Sequence, residues 1–123
     1  MNDRQKVLVI DDDPMILKTL SFVLKRQGYE YRLADNAVSA IEYADDLGFD
    51  VVLADIRMPA MNGVDAIKEI QQKRKEQGKK ELPVIFITGY ADDGIRLKAE
   101  KLGEVIQKPF DLDQLMITMR EYL

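Results

Sequence analysis

Three short runs of apolar, largely β-branched residues punctuate this chain: residues 7–10 (VLVI), 51–54 (VVLA) and 84–87 (VIFI). Each is too short for a buried helix and has no polar alternate residue. That is the pattern of a strand covered on both faces, as in a parallel sheet. Weaker strand patterns occupy 31–34 and 104–106. Between the runs lie longer stretches with apolar residues at helical spacing. The first carries Ile16, Leu17, Leu20, Val23 and Leu24 and stops at Gly28. The second covers 37–47, with Asn36 as N-cap and Gly48 as stop, and the third starts near Val64, carries Ile67 and Ile70, and ends in a polar tail at Gly78. A fourth covers 92–102 despite Gly94, and a fifth follows Pro109 with Leu112, Leu115, Met116 and Met119 on one side. Alternating strands and helices predict an α/β fold: a parallel sheet with helices on both faces, joined by right-handed crossovers. No linker or low-complexity segment interrupts the pattern, so a single domain over 1–123 is expected.

In such a sheet, ligands bind just beyond the carboxyl ends of the strands, so the residues that follow each apolar run matter most. Asp11, Asp12 and Asp13 follow the first, Asp55 the second, Thr88 and Gly89 the third, and Lys108 and Pro109 come after the last. Asp13 followed by Pro14 is explained as a helix cap with proline in the first turn. Capping does not account for Asp11 and Asp12 as well. Neighbouring carboxylates repel when ionised, and a magnesium ion, which suits one or two carboxylates together with waters and phosphate oxygens, relieves that repulsion. Asp55 read alone is as well explained as a turn residue. Beside a metal site it becomes a nucleophile able to form an aspartyl-phosphate, with the metal and Lys108 offsetting the charge of the transferred group and Thr88 able to donate to a phosphate oxygen. The chain has no histidine and no cysteine. A histidine base, a thiol nucleophile, disulfides and thiolate or imidazole metal sites are thereby excluded.

These pieces together resemble the receiver domains of bacterial response regulators. VLVIDDDP, LADIRMPAMNGVDAI, PVIFITGY and QKPF occur in that family's order and at near-family spacing over nearly the whole chain. The resemblance implies a flavodoxin-like fold with strand order 2-1-3-4-5 and five helices. It implies that Asp55 accepts a phosphoryl group from a histidine kinase or phosphotransfer protein, the donor histidine lying on the partner. It assigns Asp11 and Asp12 to the acidic pair that binds Mg2+, Asp12 the more directly, and Asp55 and the backbone carbonyl of Arg57 to further ligand positions. Thr88 matches the hydroxyl that moves toward the phosphate, and Lys108 the phosphate-contacting lysine. The Lys108–Pro109 peptide is expected to be cis. The domain is expected to assist its own phosphorylation and dephosphorylation and to remodel the face of its fourth helix, fifth strand and fifth helix for a downstream protein or output domain. A homodimer formed on phosphorylation stays open. Two features depart from the family pattern. Gly103-Glu104-Val105 runs straight into Ile106, a shorter approach to the last strand, and Val105 stands where Tyr or Phe is usual. Arg57 and Tyr90 flank the site, where they could tune dephosphorylation, Tyr90 either shaping access to the phosphate or taking over part of the missing aromatic residue's role.

A haloacid-dehalogenase-like phosphatase also uses an aspartyl-phosphate but needs an acid two residues beyond the nucleophile, where Arg57 stands. A nucleotide-binding module needs a glycine-rich turn after the first strand, and Asp11-Asp12-Asp13-Pro14 is the opposite of that. A degenerate receiver used only for contacts would lack part of the acid, threonine and lysine set. The basic run Lys73, Arg74, Lys75, Lys79 and Lys80 is read as a solvated helix end, and Met58, Met61, Met116 and Met119 as packing or loop residues. A net charge of -4 speaks against direct nucleic-acid binding. No apolar run is long enough to span a bilayer, so a cytoplasmic location without membrane contact is expected.

Overall fold

The computed structural model describes residues 4–89 and 92–123, so Tyr90 lies outside the described residues. Five strands, β1 (Lys6–Ile10), β2 (Glu30–Ala34), β3 (Val51–Ala54), β4 (Val84–Thr88) and β5 (Glu104–Gln107), alternate with five helices, α1 (Pro14–Arg26), α2 (Ala37–Asp46), α3 (Gly63–Glu76), α4 (Asp93–Leu102) and α5 (Leu112–Arg120). All strand pairs are parallel, and the sheet order is β2-β1-β3-β4-β5. This is the flavodoxin-like arrangement that the resemblance implied.

Side chains alternate across each strand, and the two faces feed two separate cores. Leu8, Ile10, Val52, Ala54, Val84 and Phe86 pack with Ala40, Ile41 and Ala44 of α2, Val64, Ile67 and Ile70 of α3, and Ala99 of α4. Val7, Val9, Val51, Leu53, Ile85 and Ile87 pack with Leu20 and Leu24 of α1 and Leu115, Met116 and Met119 of α5. Burying an aliphatic side chain of this kind contributes about 1.5–3 kcal/mol, so each face of the three inner strands is held firmly.

The helix starts follow local chemistry. Asp13 caps α1, its carboxylate accepting from the Met15 N–H, with Pro14 in the first turn. Asn36, Asn62, Asp92 and Asp111 cap the other four in the same way. Gly94 is tolerated because it falls in the first turn of α4, just after the Asp92 cap. Lys73, Arg74 and Lys75 occupy the last turn of α3, where cations suit the helix dipole. Arg74 Nε also donates to the Lys80 carbonyl at 2.8 Å, closing the turn that follows. Met116 and Met119 are buried, and Met58 and Met61 pack half-buried against the α2–α3 core. The Lys108–Pro109 peptide is cis. No helix among the described residues is long and apolar enough to cross a membrane.

Candidate functional site

The parallel register assembles the site. Ile10 pairs with Ala54, so the residues that follow, Asp11 and Asp55, leave adjacent strands side by side. The Asp55 N–H donates to the Ile10 carbonyl at 2.8 Å, extending the ladder by one rung. Thr88 pairs with Gln107, and the Lys108 N–H donates to the Thr88 carbonyl at 2.8 Å, which places Lys108 over the same sheet edge.

Asp11 is 2% exposed and Asp55 6%, so both carboxylates are nearly sealed from solvent. The Lys108 ammonium lies 3.2 Å from Asp11 Oδ2 and 3.5 Å from Asp55 Oδ2. The other Asp11 oxygen accepts from the Asp13 N–H at 2.9 Å. Asp13 therefore holds both the helix start and the neighbouring acid. Asp55 Oδ1 receives a long contact, 3.4 Å, from the Arg57 N–H. Asp12 is exposed and open to solvent. Thr88 is buried at the end of β4.

The electrostatics reflect this crowding. Burial, and then the neighbouring Asp11 charge, push the Asp55 carboxyl up to about 6, against the opposing pull of Lys108 and the Arg57 N–H. Burial disfavours the charged form of Lys108, but Asp11 and Asp55 outweigh it and raise its pKa above the usual lysine value. One ammonium among three carboxylates leaves a negative excess. One oxygen from each of Asp11, Asp12 and Asp55 can be chosen so that all lie within 4.8 Å of one another. Hard oxygen donors at that spacing fit a divalent cation such as Mg2+. Beside Asp12, a hollow of about 480 Å3 is lined by Arg57, Met58, Asn62 and Ile95 among others.

The sequence singled out Asp11, Asp12, Asp55, Thr88 and Lys108, and the fold brings all five to one sheet edge. It did not single out Gly63. This residue opens α3 directly after the Asn62 cap, and its N–H donates to the Ile56 carbonyl at 2.8 Å. A methyl group there would collide with the Asp55 carbonyl oxygen. A glycine in the first turn of an otherwise regular helix was the available signal.

The family model of response regulator receiver domains matches residues 7–120. The chain belongs to this family. Over 120 residues, 96% of this receiver, it is 35% identical to the regulatory protein AtoC of Escherichia coli, of which it covers 25%. Across the curated relatives that match well, the receiver spans from about a quarter to about half of their length. The structure of the Vibrio cholerae chemotaxis protein CheY4 superposes with a TM-score of 0.85 at 27% identity, covering 98% of this receiver and 99% of that chain. The response regulator TrrA of Thermotoga maritima, solved in complex with Mg2+–BeF, superposes with a TM-score of 0.83 at 29% identity, covering 97% and 99%.

Proposed function

We propose that Asp55 is the phosphoryl acceptor of a signalling switch, loaded by a histidine kinase or phosphotransfer protein in the presence of Mg2+. The observation that carries this reading is the convergence of Asp55 with Asp11, Asp12 and Lys108 at the C-terminal edge of one parallel sheet. A carboxylate oxygen of Asp55 attacks phosphorus, the bond from phosphorus to the donor nitrogen breaks, and that nitrogen keeps the electron pair. Asp11, Asp12, Asp55 and the Arg57 carbonyl would hold the cation, which when bound offsets negative charge on the acceptor and on the transferred group. Lys108 already sits between the two buried acids and supplies a further positive charge. Thr88 donates to the phosphoryl oxygens. Residues 1–123 are taken as one domain, and the structure of TrrA in complex with Mg2+–BeF supports Mg2+ as the cation.

These 123 residues have no histidine, so the donor imidazole lies outside them. A hollow of about 850 Å3 runs along α1, lined by Met15, Lys18, Phe22, Lys25 and Arg26 among others. Met15 and Phe22 are 66% and 64% exposed, large apolar side chains set among cations. This face suits a donor protein presenting apolar residues flanked by acids, next to the helix that Asp13 starts. Loading adds charge at the sheet edge and biases the α4, β5 and α5 face toward a downstream protein or output domain. Val105 lies opposite Phe86 and packs into the α2–α3 core, so no aromatic ring on β5 occupies that position to swing inward.

The test is intact mass after incubation with acetyl phosphate and Mg2+. Wild type should gain one phosphoryl group and Asp55→Ala none. No gain by wild type refutes the acceptor reading, and a gain that survives in Asp55→Ala moves the acceptor elsewhere.

A further inference from the structure

The nucleophile is held from behind as well as from its polar side. The Asp55 N–H is fixed by the Ile10 carbonyl of β1 at 2.8 Å. Its own carbonyl faces the first residue of α3, where an added Cβ on Gly63 would overlap the Asp55 carbonyl oxygen and press on its carbon at 2.9 Å and on Ile56 Cα at 3.2 Å. Gly63 is buried and its N–H is tied to the Ile56 carbonyl, so the contact has no free side to yield toward. The α3 start is itself locked by Asn62 Oδ1, which accepts from the Asp65 N–H at 2.9 Å.

We infer that Gly63 is a positioning residue for phosphoryl transfer: the bare α carbon lets the α3 start seat against the Asp55–Ile56 peptide and so sets where the Asp55 carboxylate stands relative to Lys108, Asp11 and Asp12. This rests on the acceptor reading above. A side chain at position 63 displaces the peptide by a fraction of its own collision, and the carboxylate moves with it. Reactions of this kind lose about a hundredfold in rate for a misplacement near 1 Å.

Gly103 provides the control. A Cβ there would collide in the same way with the Val84 carbonyl oxygen and approach Val84 Cβ at 3.1 Å, at the opposite end of β4 from Thr88. Gly63→Ala and Gly103→Ala are therefore comparable insults to packing, and only one of them touches the acceptor peptide.

Both variants and the wild type are incubated with Mg2+ over a range of acetyl phosphate concentrations, and labelling rates are corrected for the folded fraction seen by circular dichroism. The expected result is a maximal rate about ten- to a hundredfold lower for Gly63→Ala with a nearly unchanged half-saturating concentration, and a wild-type maximal rate for Gly103→Ala. A wild-type maximal rate in Gly63→Ala, or an equal loss in Gly103→Ala, overturns the inference. If Gly63→Ala does not fold, amide exchange on wild type decides. Loading with Mg2+ and beryllofluoride should slow exchange of the Gly63 amide more than that of Gly103, and equal effects at the two overturn the inference. Wild type that takes up no phosphoryl group defeats the acceptor reading and the inference together. Wild-type uptake with an unaltered Gly63→Ala rate defeats the inference alone.

Discussion

At the scale of single residues, the site is a balance between one ammonium and three acids. Asp55 binds its proton more tightly in the fold than in the unfolded chain, its pKa standing near 6 instead of 3.8. The stabilisation from that proton is complete below about pH 3.8 and is lost as pH rises through 6. In metal-free buffer Asp55→Asn should therefore be more stable than wild type at pH 7.5, by on the order of 1–2 kcal/mol, with the difference shrinking toward pH 4. Urea unfolding with a chelator at several pH values measures this, and identical midpoints throughout would contradict it. Lys108→Met removes the charge that lies 3.2 Å from Asp11 and 3.5 Å from Asp55. The labelling rate with acetyl phosphate should fall about a hundredfold, since a preorganised charge facing the reacting group is lost. That the acids, Thr88 and Lys108 converge was legible from their places just after the strand runs. The supports behind them were not. The Asp13 N–H on Asp11, the Gly63 approach to Asp55 and the 2.7 Å hydrogen bond from Tyr122 to Glu104 depend on how separate elements meet in space.

Among the elements, burial decided what the sequence could reveal. β1, β3 and β4 lie inside the sheet and are covered on both sides, so they appear as unbroken apolar runs. β2 and β5 are the edge strands, less buried, and their patterns are correspondingly weak. β2 begins at Glu30 because that residue pairs with Lys6, a polar rung that no hydrophobic pattern announces. β4 and β5 each run to the polar residue beyond the apolar stretch, Thr88 and Gln107, because these two pair across the ladder. α1 carries the prediction at this scale. Phe22→Asp places a charge in the centre of its exposed apolar face. Phosphotransfer from a histidine-phosphorylated partner should slow at least about tenfold, while labelling by acetyl phosphate stays at the wild-type rate. Equal loss from both donors would show that α1 serves the site itself and not a docking partner. The folded stability should hardly change, because Phe22 is already 64% exposed.

For the whole molecule, a cation that binds only when Asp11, Asp12 and Asp55 are gathered should stabilise the fold. At a Mg2+ concentration a hundred times its dissociation constant, the gain should be about 2.7 kcal/mol, removed by a chelator and absent from Asp12→Ala. Thermal unfolding with and without Mg2+ reads it, and an equal gain in Asp12→Ala would place the ion elsewhere. The ion pair between Lys108 and Asp11 has a consequence of another kind, because it joins residues 97 apart in sequence. Closing so long a loop costs entropy that the pair does not offset alone, so the contact depends on β5 being docked beside β4. During synthesis Asp11 and Asp55 are added to the chain well before Lys108. Until the last strand docks, the two acids lack their ammonium. For the proposed switch, labelling should therefore reach its full rate only on a molecule whose last strand is in place.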